Sequence, residues 1–377
     1  MNKAILKDYL DSLESKGVPG CDCVIFHKHK PVFRHTTGFA DAGKTKHLTS
    51  ENLFWLFSAT KLITCTAIMQ LVEKGKVSLD APVADYLPEY KHLNVKCGSE
   101  VVPAKNTLTI RHLLSMQSGL NYNLQASSIL KVLEDTEYEA TTRQVIRALA
   151  NEPLEFEPGT HFLYSLSHDV LGAVIEEVSG QKFGEYLEEH ILKPLGMKNT
   201  GFELTPDRKA NMSEQFEYDM DTMTSKPISL ANCYKLSSKY ESGGAGLLST
   251  ADDYILFLDA MCNDGVSADG YRVLTRESID MMRKDQMNDI SKKDFDEFGR
   301  IGYSYGLGVR TLVEKERSGV KSPLGEFGWD GAAGAYALID VKNRLAIFYV
   351  QHVRGCGYAY SDIHPKIRDL SYEMLDL

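Results

Sequence analysis

Nothing in the 377 residues approaches the ~18 consecutive apolar positions of a transmembrane helix, so the sequence predicts no membrane span. No run of lysine and arginine offers an anionic lipid surface a docking patch. The formal net charge of −10 at pH 7 argues against a nucleic-acid partner, which needs a basic face. H-E-x-x-H does not occur, and the sequence sets an expectation of no metal and no cofactor. The G-x-S-x-G elbow of α/β-hydrolases is missing too, as are internal repeats and low-complexity segments. The seven cysteines, at positions 21, 23, 65, 97, 233, 262 and 356, are odd in number and scattered. That suits reduced thiols better than a disulfide framework. Cys21 and Cys23 are too close and too isolated for a zinc site and read as strand residues. The N-terminus lacks an apolar core and a small-residue cleavage site, and reads as an amphipathic first helix in place of a signal peptide. Together these features set an expectation of a cytoplasmic protein.

What is present is enough for a sizeable core, as one large domain or two intimate ones: 43% of the residues are hydrophobic and 25% charged. Residues 4–16 read as a helix with Ile5, Leu6, Tyr9, Leu10 and Leu13 on one side, broken by Gly17 to Gly20. Cys23–Phe26 and Val32–Phe39 flank a basic turn, as in a β-hairpin. The 59–74 stretch is helical and apolar nearly all round, which places it in the interior. From about 80 to 235 helices alternate with Pro/Gly punctuation, including Arg111–Met116 and Val170–Val178. Residues 211–227 are polar and methionine-rich and read as a long surface loop. Thr250 and Asp253 form a plausible capping box ahead of a helix over Tyr254–Met261. Residues 285–300 are a charged patch, most simply a solvated face or loop. Strands follow at 306–312, 334–340 and 345–351, the last two joined as a hairpin, and a helix at 363–376 closes the chain. Strands at both ends with helices between predict an α/β (α+β) fold. Its sheet domain would comprise 1–80 and 236–377, and 81–235 would form a helical domain.

Ser58-Ala59-Thr60-Lys61 opens the apolar helix. Residues i and i+3 share a helix face, so the Ser58 hydroxyl and the Lys61 amine are predicted neighbours. The positive end of the helix dipole and burial both disfavour an ammonium there, leaving an amine able to take the serine proton. A serine with a base one turn away implies acyl transfer. Taken alone, a capping serine followed by a solvated lysine is the commoner explanation. Two further stretches change that balance. Tyr164 stands just before a helix start, and Trp329-Asp330-Gly331 leads through small residues into a late strand. His168-Asp169 invites a Ser–His–Asp reading, but adjacent His and Asp at a helix start are more often local capping.

Ser58/Lys61, Tyr164 and Trp329–Gly331 together resemble the three motifs of the serine β-lactamase and penicillin-binding-protein superfamily. The likeness is closest to its class C branch and the family VIII carboxylesterases, and Leu113–Leu120 and Gly243–Asp253 support it. The resemblance implies an antiparallel sheet made from both chain ends and flanked by helices, with an inserted all-helical domain and the active site between them. It implies Ser58 as the acylated nucleophile, Lys61 and Tyr164 as the proton-transfer pair, and the backbone N–H groups of Ser58 and Ala332 as the oxyanion hole. Tyr164 starts from a reference pKa near ~10 and would be lowered by a neighbouring ammonium, so which of the pair rests as base stays open.

The chain departs from the lactamase pattern at the second and third motifs. Leu166 stands where an amide donor is usual, and Trp329 where a lysine grips a carboxylate. Leu166, Trp329, Asp330 and Gly331 are the expected substrate-binding positions. The Tyr-Ser-Leu and Trp-x-Gly pattern resembles the esterase branch, which implies a serine carboxylesterase acting on a small-molecule neutral ester. A β-lactamase or D-amino-acid peptidase, an acyltransferase of the same fold and a non-catalytic scaffold are the alternatives. If Asp330 faces the cleft unpaired, it should repel anionic substrates, unless Arg354 neutralises it.

Overall fold

The computed structural model describes residues 3–377. A seven-stranded antiparallel sheet runs in the order Lys30–Gly38, Gly20–His27, Leu345–Gln351, Tyr336–Asp340, Phe327–Asp330, Arg310–Leu312, Tyr303–Tyr305. The N-terminal hairpin thus docks beside the penultimate stretch of the chain, with Cys21 opposite Gln351 and His27 opposite Leu345. Strand alternation explains why these segments read as unbroken apolar runs. Leu345, Ile347 and Tyr349 enter a core shared with Leu6, Leu10, Ile367 and Leu370 of the two terminal helices. Ala346, Phe348 and Val350, between them, enter the main core on the opposite face. Helices Lys3–Ser12 and His364–Leu375 cover the first face, and Ala251–Cys262 covers the second.

The helix Thr60–Glu73 is the axis of the main core. Its residues from Thr60 to Leu71 are all buried, between the sheet and the helix Ser167–Ser179 of the inserted part. Each fully buried Leu or Ile on it contributes about 1.5–3 kcal/mol relative to exposure. Its polar side chains are satisfied: Thr64 donates to the Gly243 carbonyl at 2.7 Å, and Thr60 accepts from the Leu247 N–H at 3.1 Å.

The insertion is mainly helical but carries strands that the all-helical expectation left out. Asn94–Cys97 pairs with Glu100–Pro103, and Gln215–Asp219 with Thr224–Ile228. The second hairpin occupies the stretch expected to be a loop. It is held by a parallel pairing with Val353–Arg354 and by Phe216 and Tyr218, which pack into the terminal-helix core. The charged patch at 285–300 is likewise ordered, as a helix over Asp289–Glu297 that buries Phe295. Thr250 caps the helix Ala251–Cys262 by accepting from the Asp253 N–H. The Asp253 carboxylate turns instead to the Asn199 N–H and the Thr200 hydroxyl, so only half of the expected box forms. All seven cysteines are free thiols. Among the described residues no helix is long and apolar enough to cross a membrane.

Candidate active site

Ser58 lies in a short 3-10 turn, Phe57–Ala59, that runs directly into the Thr60–Glu73 helix. The turn is built under constraint. Phe57 takes a left-handed φ of +46° although it is a fully buried aromatic residue, and its ring packs edge-on against Tyr234. Left-handed backbone at a bulky residue costs on the order of 1–3 kcal/mol and is held only where the surroundings dictate it. Here the surroundings are Leu56, whose N–H donates to Leu247, and Ala59, whose carbonyl accepts from the Tyr254 hydroxyl at 2.7 Å. The result presents the Ser58 side chain, half-buried, at the floor of a cavity.

Lys61 is fully buried one turn on, as the i, i+3 spacing predicts. Its Nζ donates to Ser58 Oγ at 3.2 Å and to the Gly244 carbonyl at 2.7 Å. Burial lowers its pKa from 10.5 to about 7, with the charge of Asp169 opposing that drop. A neutral amine is therefore accessible near neutral pH, as a proton acceptor for Ser58 requires. Asp169 is itself buried; its Oδ1 accepts from the Tyr240 and Ser242 hydroxyls at 2.7 and 2.6 Å. Its Oδ2 has no hydrogen-bond partner among the described residues. That oxygen lies 2.6 Å from where a Cβ on Gly244 would stand, with Lys61 Nζ 3.3 Å from the same point. Only glycine lets these two groups and the Tyr122 hydroxyl, 3.1 Å from that point, converge.

Tyr164 sits over Lys61, whose Nζ is 4.6 Å from the ring centroid. Its hydroxyl accepts from Trp329 Nε1 at 3.0 Å. Burial holds the phenol well above its ordinary pKa, and hydrogen bonds from Ser58 and Trp329 only partly offset that. At rest the tyrosine is thus a phenol, and Lys61 is the group whose proton is close to balance at neutral pH. Tyr122, Phe298 and Trp329 all stack on the Tyr164 ring, at centroid distances of 5.6–5.7 Å.

A cavity of about 390 Å³ opens above Ser58, walled by these rings and by Tyr234, Tyr360, Arg300 and the Asp330–Ala332 segment. Gly331 is required there, because a Cβ would come within 2.3 Å of the Leu56 carbonyl. This close approach draws the end of the Phe327–Asp330 strand onto the turn that carries Ser58, and Ala332 lines the same cavity as Ser58.

The remaining sequence-predicted positions fall differently. Trp329 and Gly331 line the cavity, but Leu166 does not; it is buried in the main core at the foot of the Ser167–Ser179 helix. Asp330 is not unpaired. Its Oδ1 accepts from Arg310 Nη1 at 3.0 Å, and its Oδ2 is gripped by Arg300 Nη2. These two cations hold its carboxyl below the ordinary range despite full burial. Arg354 lies instead near Glu217, at 3.9 Å. Asp330 is thus neutralised by Arg300 and Arg310, not by Arg354, and the repulsion of anions expected of an unpaired Asp330 does not follow. His168 points its Nε2 at Cys65 Sγ, 3.1 Å away, and burial keeps it neutral. It makes no contact with Ser58, so no Ser–His–Asp triad forms. Tyr122, Tyr234, Phe298, Arg300 and Tyr360 were not foreseen. For Tyr122 a signal existed, since it follows the Leu113–Leu120 match by two residues.

The Beta-lactamase family model matches residues 3–356, and the chain belongs to that family. It is 29% identical to Esterase EstB of Burkholderia gladioli over 381 residues, covering 96% of this chain and 92% of that one. It is 28% identical to Lovastatin esterase of Penicillium rubens, covering 81% of this chain and 80% of the relative. Among solved structures, EstCE1, described as a hydrolase with promiscuous acyltransferase activity, superposes with a TM-score of 0.80 at 24% identity, covering 97% of each chain. The last comparison bears on the fold alone.

Proposed function

We propose that the protein is a serine carboxylesterase acting through a Ser58 acyl-enzyme. Ser58 Oγ attacks the ester carbonyl carbon while its proton passes to the Lys61–Tyr164 pair. The carbonyl oxygen, now negative, is met by the Ser58 and Ala332 N–H groups; such a donor is worth roughly 100–1000-fold in rate. The carbonyl re-forms as the alcohol departs with the pair's proton, and water repeats the sequence on the acyl-serine. One observation carries the reading: a fully buried amine 3.2 Å from the serine hydroxyl, where burial lowers its pKa to about 7. The esterase relatives support an ester hydrolase or acyltransferase of this fold.

A lactamase or peptidase is less well supported, because Leu166 is buried away from the cavity and Trp329 stands where a carboxylate-gripping lysine is usual. Transfer to an alcohol is the sibling reaction. It is favoured by a cavity lined with six aromatic rings, which suits an organic acceptor in competition with water. The test is rapid mixing with p-nitrophenyl butyrate and, in parallel, nitrocefin. A nitrophenolate burst of one equivalent followed by slower turnover, with little nitrocefin opening, is expected. The reverse pattern overturns the assignment. Added methanol that increases nitrophenolate release and yields methyl butyrate identifies acyl transfer.

A further inference from the structure

The cation missing from the third motif enters the cavity from another part of the chain. Arg300 follows the Asp289–Glu297 helix, and its guanidinium carbon lies 5.9 Å from the Trp329 ring centroid and 6.0 Å from that of Tyr360. Of its five N–H donors, the one hydrogen-bonded among the described residues is on Nη2, held by Asp330. Asp330 is in turn tied to Arg310, so the only carboxylate lining the cavity among the described residues is doubly paired, and its side chain is 4% exposed. The Arg300 side chain is 19% exposed. His364, whose Nδ1 is 4.0 Å from Asp330, is kept neutral by burial, with a pKa of about 4. A substrate therefore meets the guanidinium and not the carboxylate.

We propose that Arg300 forms an anion subsite in this pocket, and that the preferred substrates are esters bearing a free carboxylate, such as mono-esters of dicarboxylic acids. Trp329 spans the two centres, with its indole N–H on Tyr164 and its ring beside Arg300. An extended acyl chain can run along the indole from Ser58 and end at the guanidinium, whose planar fork matches a carboxylate. The aromatic walls remove water from that contact and strengthen it. Arg310 remains on Asp330 when Arg300 is replaced, so the substitution does not strand a buried charge.

The inference rests on the ester-cleaving reading, and the test separates the two. p-Nitrophenyl hydrogen adipate and its methyl ester, p-nitrophenyl methyl adipate, differ only in the remote charge. Their kcat/KM ratio is measured for the wild type, Arg300→Gln and Arg300→Lys, with fluorophosphonate labelling of Ser58 verifying an assembled site in each. A charge-assisted hydrogen bond predicts a wild-type preference for the acid of about ten- to a hundredfold. Arg300→Gln should abolish that preference, mainly through KM for the acid, and Arg300→Lys should restore part of it. An equal ratio in wild type and Arg300→Gln, or a wild-type preference for the methyl ester, overturns the subsite alone. Failure to hydrolyse either adipate overturns the esterase reading beneath it.

Discussion

Replacing Asp169 with asparagine removes the carboxylate that most opposes the burial-driven drop in the Lys61 pKa while leaving a side chain of the same shape. The magnitude follows from the Gly244 geometry. Asp169 Oδ2 and Lys61 Nζ lie 2.6 and 3.3 Å from one point, so they are under about 6 Å apart. At an effective dielectric near ~20 such a pair attracts by roughly 3 kcal/mol, about two pKa units. The sign is set by which form the anion favours: Asp169 stabilises the ammonium, so Asp169→Asn moves the Lys61 pKa further down from about 7. In the proposed mechanism the neutral amine is the active form, so wild-type kcat/KM should rise about tenfold between pH 6 and pH 8. In Asp169→Asn the same interval should be nearly flat, with the rise displaced to lower pH. The assay is the pH profile of p-nitrophenyl butyrate hydrolysis, corrected for the nitrophenol ionisation. An acid limb unmoved in the variant refutes the electrostatic account, as does one that moves to higher pH.

Three other perturbations probe the same network. Lys61→Ala and Tyr164→Phe should each lower kcat by orders of magnitude, and the double variant should be little worse than either, because residues acting as one unit are non-additive; additive losses in steady-state kinetics would assign them separate steps. Gly244→Ala places a methyl group 2.6 Å from Asp169 Oδ2 and 3.3 Å from Lys61 Nζ, so kcat should fall while far-UV circular dichroism stays native; unimpaired turnover would show the convergence is dispensable. Trp329→Phe removes the donor 3.0 Å from the Tyr164 hydroxyl, and at about 1 kcal/mol for such a bond should cost roughly fivefold in kcat, a loss that disappears in the Tyr164→Phe background.

The parts of the site that could be read from sequence are those fixed by local geometry. Ser58 and Lys61 are one helical turn apart, and the apolar character of Leu62 to Leu71 on every side announces that the turn is buried. Tyr164 and Trp329 were legible through motif order, and the two-faced strands through their unbroken apolar runs. What escaped depends on long-range partners. Arg300 lies in a charged stretch, and nothing nearby in sequence says that the chain folds back so that its guanidinium meets Asp330, 30 positions on. Asp169 gives no local sign that Tyr240 and Ser242 will satisfy it. Leu166 shows the opposite error: motif alignment places it at the substrate, but its apolar side chain takes the burial offered at the helix foot. The 215–228 hairpin was hidden because its outward residues are polar and its inward ones few; Phe216 and Tyr218 alternate as a strand should, over too short a span to stand out.

The most direct test of a Ser58 acyl-enzyme is mass spectrometry of the protein quenched in acid during p-nitrophenyl butyrate turnover. The account predicts a single butyryl adduct on the wild type that maps by peptide sequencing to Ser58. It also predicts no adduct on Ser58→Ala, whose melting temperature should match the wild type. An adduct on any other residue, or one that persists in Ser58→Ala, would contradict it.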